Sequence, residues 1–472
     1  MKPKANSKSI AIAFAALLLS TCTVTQARCQ VQAPHRPEPG ESWKTAMAGG
    51  ETPRPVDDAT LSHWWSVFGD PELSSLEDRA LKANLSLRTA EANIVQARAN
   101  RYSASGNLLP SVSIGASGTG SRASTRNGGQ VGQSYSADLD ASWEPDFFGK
   151  LHKNVRAYDA DIQAAQENLR NTMVSLTAEV ALDYVSLRLY QAQLQVAREN
   201  LVTYRDTYES TLAKQLSGLS SALDVQQALE TVQSTEASIP TLETNLKQTA
   251  NAIAVLIAER PGAVDAELAQ VTPIPIIPPE VAVGIPADLL RRRPDVKIAE
   301  RQLAAQALRV GVAKANLYPS FTLSGSFLFG AKNILNLLTP ATMASSVIGS
   351  VQQSILNRRQ LKGQLKLQSA LLDQYELSYD SSILAAIQDV ENSLQAFSAE
   401  QERRKSLAGA ALSARNAAAM SRELYGAGLR DFLNVLDSDR SALNLQNSLV
   451  QSDATVATDL IQLYKALGGG WQ

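Results

Sequence analysis

Three histidines are all that the 472 residues carry, and His35, His63 and His152 stand at no metal-ligand spacing from one another. No Cys-His or Ser-His constellation accompanies them, so the chain reads as a non-enzyme with no catalytic residues, no metal site and no cofactor. Cysteine is as scarce. Cys22 and Cys29 are the only two, both near the N-terminus, which leaves no internal disulfide framework. An excess of one charge is missing too: 44 basic residues meet 46 acidic ones, and a nucleic-acid partner, which needs a concentrated basic surface, is set aside. Five methionines form no cluster that would suit a soft metal.

Proline is absent from Phe147 to Ile239 and again from Ala341 to Gln472. Proline removes a helical hydrogen bond and clashes with the preceding turn, so stretches without it suit very long helices. Within them Leu176, Val180, Asp183 and Leu187 correspond to Ile383, Ile387, Val390 and Leu394, and Phe397 continues a 4,3,4,3 spacing that lays one apolar seam along each helix. A helix from about residue 150 to 213 would be roughly 95 Å long at 1.5 Å per residue. Alanine and serine crowd these seams, as at Ala385-Ala386 and Ala408 to Ala411, so each pair of helices buries little area and lateral assembly of several is expected.

One phrase occurs twice. Leu108-Leu109-Pro110-Ser111-Val112-Ser113-Ile114 returns 209 positions later as Leu317-Tyr318-Pro319-Ser320-Phe321-Thr322-Leu323, and Gly218-Leu219 with Leu223-Asp224-Val225 returns at offset 210 as Gly428-Leu429 with Leu433-Asn434-Val435. A shared offset with conserved order means duplication. Between the helices the period changes to two: Tyr135, Ala137, Leu139, Ala141 and Trp143 alternate with Ser134, Ser136, Asp138, Asp140 and Ser142. Four strands are expected, near 110–119, 134–145, 319–330 and 343–355, each long enough to cross a bilayer when tilted. A face of a soluble sandwich is the alternative for them. Four strands cannot close a barrel, and an open edge is forbidden in lipid, so several chains must share one barrel; three would supply twelve strands.

The N-terminus has Lys2, Lys4 and Lys8, an apolar run from Ile10 to Leu19 too short to span a bilayer, and then small and polar residues, which is an export signal over 1–28. Cys22 follows Leu19-Ser20-Thr21, close to a lipoprotein box and a candidate lipidation site, although Thr21 departs from the usual Gly, Ala or Ser. Ordinary cleavage after Ala27 is the alternative. An extended arm over 29–70, a first repeat over 71–262, a proline-rich linker over 263–286 and a second repeat over 287–472 complete the organisation. Arg291, Arg292 and Arg293 precede Pro294 and Asp295, where a helix start with its cap and ion pairs is expected.

Leu289-Leu290-Arg291-Arg292-Arg293-Pro294-Asp295-Val296, then Ala299-Glu300 and Tyr318-Pro319-Ser320, resembles the signature of TolC-like outer-membrane efflux factors, in particular the NodT and OprM-type lipoproteins. Trp143-Glu144-Pro145-Asp146-Phe147-Phe148-Gly149-Lys150 and the ending Tyr464 to Trp471 are similar to the same family. The resemblance implies an α+β membrane protein: a homotrimer with a twelve-stranded β-barrel in the outer membrane and an α-barrel of long antiparallel coiled coils in the periplasm. It implies a passive exit duct that works with a periplasmic adaptor and an inner-membrane RND or ABC-type pump and sits among outer-membrane lipid. Aligned on the glycine and the Val-Leu-Asp phrase, Tyr425, Arg430 and Asp437 match the family's periplasmic gate, Asn434 stands where aspartate is frequent, and Asp224 in the first-half turn is a candidate partner of Arg430. A trimeric coiled-coil surface adhesin or periplasmic scaffold is the alternative class.

Overall fold

Each proline-free stretch holds one helix of extreme length, followed after a short turn by the start of another. The computed structural model describes residues 43–45, 51–52, 58–122, 131–275, 281–283 and 292–471, which lie in the compact unit Pro39–Gln472. Cys22 and Arg291 fall outside the described residues. In chain order the elements are β1 (Glu51–Thr52), α1 (Asp58–Ser62), a 3-10 helix (Trp64–Phe68), α2 (Pro71–Ala83), α3 (Leu85–Gly106), β2 (Ser111–Arg122), β3 (Val131–Trp143), α4 (Lys150–Leu216), α5 (Ala222–Leu256), β4 (Val281–Ala282), α6 (Pro294–Ala315), β5 (Ser320–Ala331), β6 (Met343–Gln352), α7 (Arg358–Gly426) and α8 (Phe432–Ala466). Helices α4 and α7 have 67 and 69 residues, about 100 Å each at 1.5 Å per residue. No helix among the described residues is long and apolar enough to cross a membrane.

The duplication is structural as well as sequential. Leu85 to Pro294 and Ser111 to Ser320 keep the 209 spacing at element starts, and Ala222 to Phe432 keeps the 210 spacing. Helix α4 packs on α3, α5, α6 and α8, and α7 packs on α6 and α8. Helix α5 runs through Pro240, past the end of the proline-free stretch at Ile239. Pro240 sits on the exposed face of the helix, where water can take the carbonyl that it leaves without a donor.

Strands β2, β3, β5 and β6 form one antiparallel sheet in that order, so β2 and β6 are its two free edges. Pro110 and Pro319 stand immediately before β2 and β5, at the corner where a helix gives way to a strand, and proline suits that place because it cannot continue a helix. A second, two-stranded parallel ladder joins β1 of the N-terminal arm to β4 between the repeats, which no periodicity in such short segments announces.

The apolar seam converges on one core. Leu176, Val180 and Leu187 of α4, Ile383, Val390, Leu394 and Phe397 of α7, and Leu460, Ile461 and Tyr464 of α8 are buried together with Leu73, Leu76 and Trp64. A fully buried Arg188 of α4 is tied to Glu72 by an ion pair, to the Tyr184 hydroxyl at 2.9 Å, to Gln191 Oε1 at 2.7 Å and to the Gln270 carbonyl at 2.8 Å. Asp70 caps α2 and accepts from the Tyr184 hydroxyl at 2.6 Å. One guanidinium thus fastens α2 and the inter-repeat segment to α4, and removing either partner of so buried a pair leaves an uncompensated charge. Val264 and Leu268 of that segment are themselves buried in the core.

Arg293 behaves as a residue at a helix start should. It occupies the N-cap of α6, pairs with Asp295 at 2.6 Å and Asp389 at 2.9 Å, and donates to the Ala466 carbonyl at 3.0 Å. Farther along α7, Glu391 accepts the Lys44 and Thr45 amides at 2.8 and 2.9 Å, gripping the arm by its backbone. Burial pushes this carboxyl up, but the amides and the Thr45 hydroxyl outweigh it and hold its pKa below the usual range.

The Gly468-Gly469-Gly470 ending threads between these parts. Gly470 has φ +93° and donates to the Leu61 carbonyl at 2.8 Å, and a Cβ there would lie 2.5 Å from Thr177 Oγ1. Gly470→Ala is therefore expected to destabilise the fold by about 1–3 kcal/mol. The thermal midpoint of the helical circular-dichroism signal should fall, while Gly409→Ala, on an open face of α7, leaves it level or raises it. Equal midpoints for the two variants would contradict the tight threading.

Candidate functional site

The two longest helices end in the same way. After α4, Gly218 takes φ +76° and donates to the Gln215 carbonyl at 2.9 Å, while Leu219 donates to the Lys214 carbonyl at 2.8 Å. After α7, Gly428 takes φ +74° and donates to Tyr425 at 3.1 Å, while Leu429 donates to Leu424 at 2.9 Å. Both are Schellman closures, and only glycine enters the left-handed region without strain, which explains why Gly-Leu occurs twice. The next helix starts at once in each case, so two hairpins, α4/α5 and α7/α8, meet at one end of the chain.

The second helix starts differ chemically. Ser221 and Asp224 form a reciprocal capping box on α5, with Ser221 N–H donating to Asp224 Oδ2 at 3.0 Å and Asp224 N–H to Ser221 Oγ at 3.2 Å. On α8 Asp431 and Asn434 hold the equivalent places, and Asp431 makes no side-chain cap bond. The Asp224 and Asn434 difference between the repeats therefore has a local structural meaning. Burial pushes the Asp224 carboxyl up, but hydrogen bonds from the Ser221 amide and the Ser220 and Ser221 hydroxyls reverse that and keep it below the ordinary range.

Of the residues singled out in the sequence, the structure joins Tyr425 and Asp224 through one hydroxyl. Ser220 Oγ lies 2.8 Å from Asp224 Oδ2 and 3.5 Å from the Tyr425 hydroxyl, which also reaches Thr211 Oγ1 at 3.4 Å. Within the chain Asp224 does not meet Arg430, because its carboxylate is already engaged in capping α5. Arg430 is exposed in the turn and forms no ion pair among the described residues. Asn434 and Asp437 are exposed along one stripe of α8, opposite the buried Val435, Leu436 and Asp439.

Two residues that the sequence pattern did not pick out sit in the same place. Lys214 of α4 extends to the end of α7, where its Nζ lies 3.8 Å from the Tyr425 ring centroid. Setting the repeats side by side would have found it, since Leu424 holds the equivalent position at offset 210. Asp439 is buried two turns into α8, with Arg422 of α7 at 3.7 Å and its backbone carbonyl accepting from the Tyr204 hydroxyl at 3.3 Å. Burial raises the Asp439 carboxyl to about 6, offset only in part by Arg422.

At the opposite end the sheet sorts its residues by face. Val112, Ile114, Leu139, Trp143, Leu323, Phe327, Met343, Val347 and Val351 share one face by register, and all are exposed, Ile114 to 85% and Val347 to 80%. Ser113, Ser136, Asp138, Asp140, Ser326 and Ser346 lie on the other, where Gly115 leaves room for Asp138: a Cβ on Gly115 would sit 2.6 Å from its Oδ2. Exposure of so continuous an apolar face is what a bilayer covers. Aromatic rings gather at the corners below it, with Phe148 stacked on Tyr318 and Phe147 edge-on to Phe321, both at 4.8 Å.

Residues 76–259 and 285–469 match the sequence profile described as outer membrane efflux protein. The chain is 31% identical over 464 residues to nodulation protein T of Rhizobium leguminosarum bv. trifolii, covering 97% of this chain and 96% of that protein. Its fold is similar to that of the outer-membrane channel OprN, at a TM-score of 0.85 and 30% identity over 92% of this chain and 98% of that one. It is also similar to the open state of the MtrE outer membrane channel of Neisseria gonorrhoeae, at 0.81 and 28% over 93% and 98%.

The buried Asp439 has a consequence for pH. The folded chain holds it protonated up to about pH 6, whereas an unfolded aspartate ionises near 3.8, so its favourable contribution is fully present only below about pH 4 and is lost as pH rises through 6. Asp439→Asn should therefore flatten the decline of the thermal midpoint between about pH 4 and pH 7. Parallel profiles for wild type and variant would show that Asp439 is not held protonated.

Proposed function

Because the chain belongs to the outer membrane efflux protein family, we propose that it is the outer-membrane exit duct of a tripartite efflux system, passing small solutes without a catalytic step of its own. The observation that carries this reading is the four-stranded sheet with one exposed apolar face and two unpaired edges, mounted on helices of 67 and 69 residues. Unpaired backbone groups are not tolerated in hydrocarbon, so β2 of one copy pairs with β6 of the next, and three copies close a twelve-stranded barrel. Asp138 and Asp140 then line its polar interior. The repeats over 71–262 and 287–472 each contribute one strand pair and one long hairpin to the wall.

In this reading the hairpin ends form the periplasmic gate. Threefold symmetry gathers three copies of the exposed Asn434 and Asp437 stripe around the axis, where a ring of carboxylates favours cations. Arg430, without an ion pair among the described residues, reaches a neighbouring copy. Leu219 and Leu429 project from the turns and are exposed, as are Leu223 and Leu433 just beyond, which suits docking of a periplasmic adaptor that links the duct to an inner-membrane RND or ABC-type pump. Cys22 is the proposed attachment point for lipid in the outer membrane.

Purified full-length protein should migrate as a heat-modifiable trimer and conduct ions in planar bilayers. Asp437→Ala should raise the resting conductance and weaken cation preference. An unchanged closed state and cation preference would remove Asp437 from the gate, and a nonconducting protein washed from membranes as a peripheral component would favour the adhesin or scaffold class.

A further inference from the structure

Helix α7 ends with its last carbonyls facing the end of α4. The Schellman closure satisfies the Leu424 and Tyr425 carbonyls from the turn itself. Lys214 Nζ adds a second donor to the Tyr425 carbonyl and reaches the Gly426 carbonyl at 3.5 Å, while passing over the Tyr425 ring at 3.8 Å. A cation is favoured at a helix C-terminus, and one ammonium here engages two carbonyls and a π-face together. Lys214 is half-buried, and its own carbonyl accepts from Leu219 in the closure of α4. The same residue therefore belongs to one turn through its backbone and to the other through its side chain.

The arrangement runs in one direction only. Leu424, at the equivalent place in the second repeat, has no group with which to return the contact. The other polar links between the two hairpins near this end are slighter: the Tyr425 hydroxyl contacts at 3.4 and 3.5 Å and the Tyr204 hydroxyl bond to the Asp439 carbonyl at 3.3 Å are long and neutral, and the Arg440–Glu230 pair at 2.7 Å is exposed on both sides.

We propose that Lys214 is the latch holding the α4/α5 and α7/α8 hairpins of each chain together at the periplasmic end, and so a positioning residue that sets the resting closure of the gate. The inference rests on the gate reading of Tyr425 and Asp437 above. Any opening that parts the two hairpins withdraws the ammonium from both carbonyls and the ring at once. The latch then opposes opening through charge-assisted bonding to backbone, which no change confined to the Tyr425 hydroxyl would remove.

The test is single-channel recording of full-length trimers in planar bilayers. Lys214→Met keeps the length of the side chain without its charge and should shift the open-to-closed ratio by roughly tenfold toward open for each latch lost, the scale of one charge-assisted hydrogen bond. Lys214→Arg should stay near wild type, and Tyr425→Phe should shift the ratio less than Lys214→Met. Wild-type gating in Lys214→Met, with Asp437→Ala still altering conductance, overturns the latch and leaves the gate standing; no change in either variant overturns the gate reading as well. If Lys214→Met does not assemble, Lys214→Cys channels are treated with an aminoethyl or a neutral methyl thiosulfonate. Closure restored by the aminoethyl reagent alone supports the latch, and an equal response to both, or to neither, overturns it.

Discussion

An unfinished sheet is the constraint from which the rest follows. Strands β2 and β6 each present a row of backbone donors and acceptors along an outer edge, 12 and 10 residues long. In water such an edge is a liability, and in hydrocarbon each unpaired group costs several kcal/mol, so the edges must meet those of other copies. Once β2 of one chain pairs with β6 of the next, every helix that leaves the sheet at a corner is committed to a place in a ring. The long helices are then walls whose far ends converge, and closure at those ends becomes a matter of how hairpins sit against one another.

The middle of the molecule gives that ring its stiffness. Arg188 draws together α4, the start of α2 and the inter-repeat segment, Arg293 links the start of α6 with α7 and the end of α8, and the glycine ending fits between Leu61 and Thr177. Small residues along the seams allow close approach but bury little, so this belt, with Trp64, Tyr184 and Phe397, carries much of the apolar burial. Beyond it the hairpins are held by sparser contacts, such as Arg198–Glu243 and Arg205–Glu236 on exposed faces. A stiff belt with lightly fastened ends suits a duct that opens at one end without coming apart.

Much of this was legible before any coordinates. Absence of proline and the 4,3,4,3 seam foretold α4 to within a few residues and a second long helix in the later stretch, and alternation foretold four strands with Pro110 and Pro319 at their corners. What escaped had no period to betray it. The β1–β4 ladder is two residues per strand, and Pro240 lies inside a helix because its position on the exposed face makes the lost bond tolerable. Among the site residues, Tyr425 emerged from the motif, yet Asp224 turned out to cap its own helix, since a Ser-x-x-Asp box reads in sequence as readily as a charge as it does as a cap. Lys214 escaped because two of its three partners are backbone carbonyls, which leave no residue type to recognise, and only its contrast with Leu424 across the repeats marks it.

The central claim is that the sheet is completed by copies of the same chain. Cysteine pairs placed one on β2 and one on β6, scanned in register and oxidised in the membrane, test it directly. The account predicts a covalent ladder that ends at three chains. A cross-link that closes within a single chain, a ladder that continues past three, or no link from any register would contradict it.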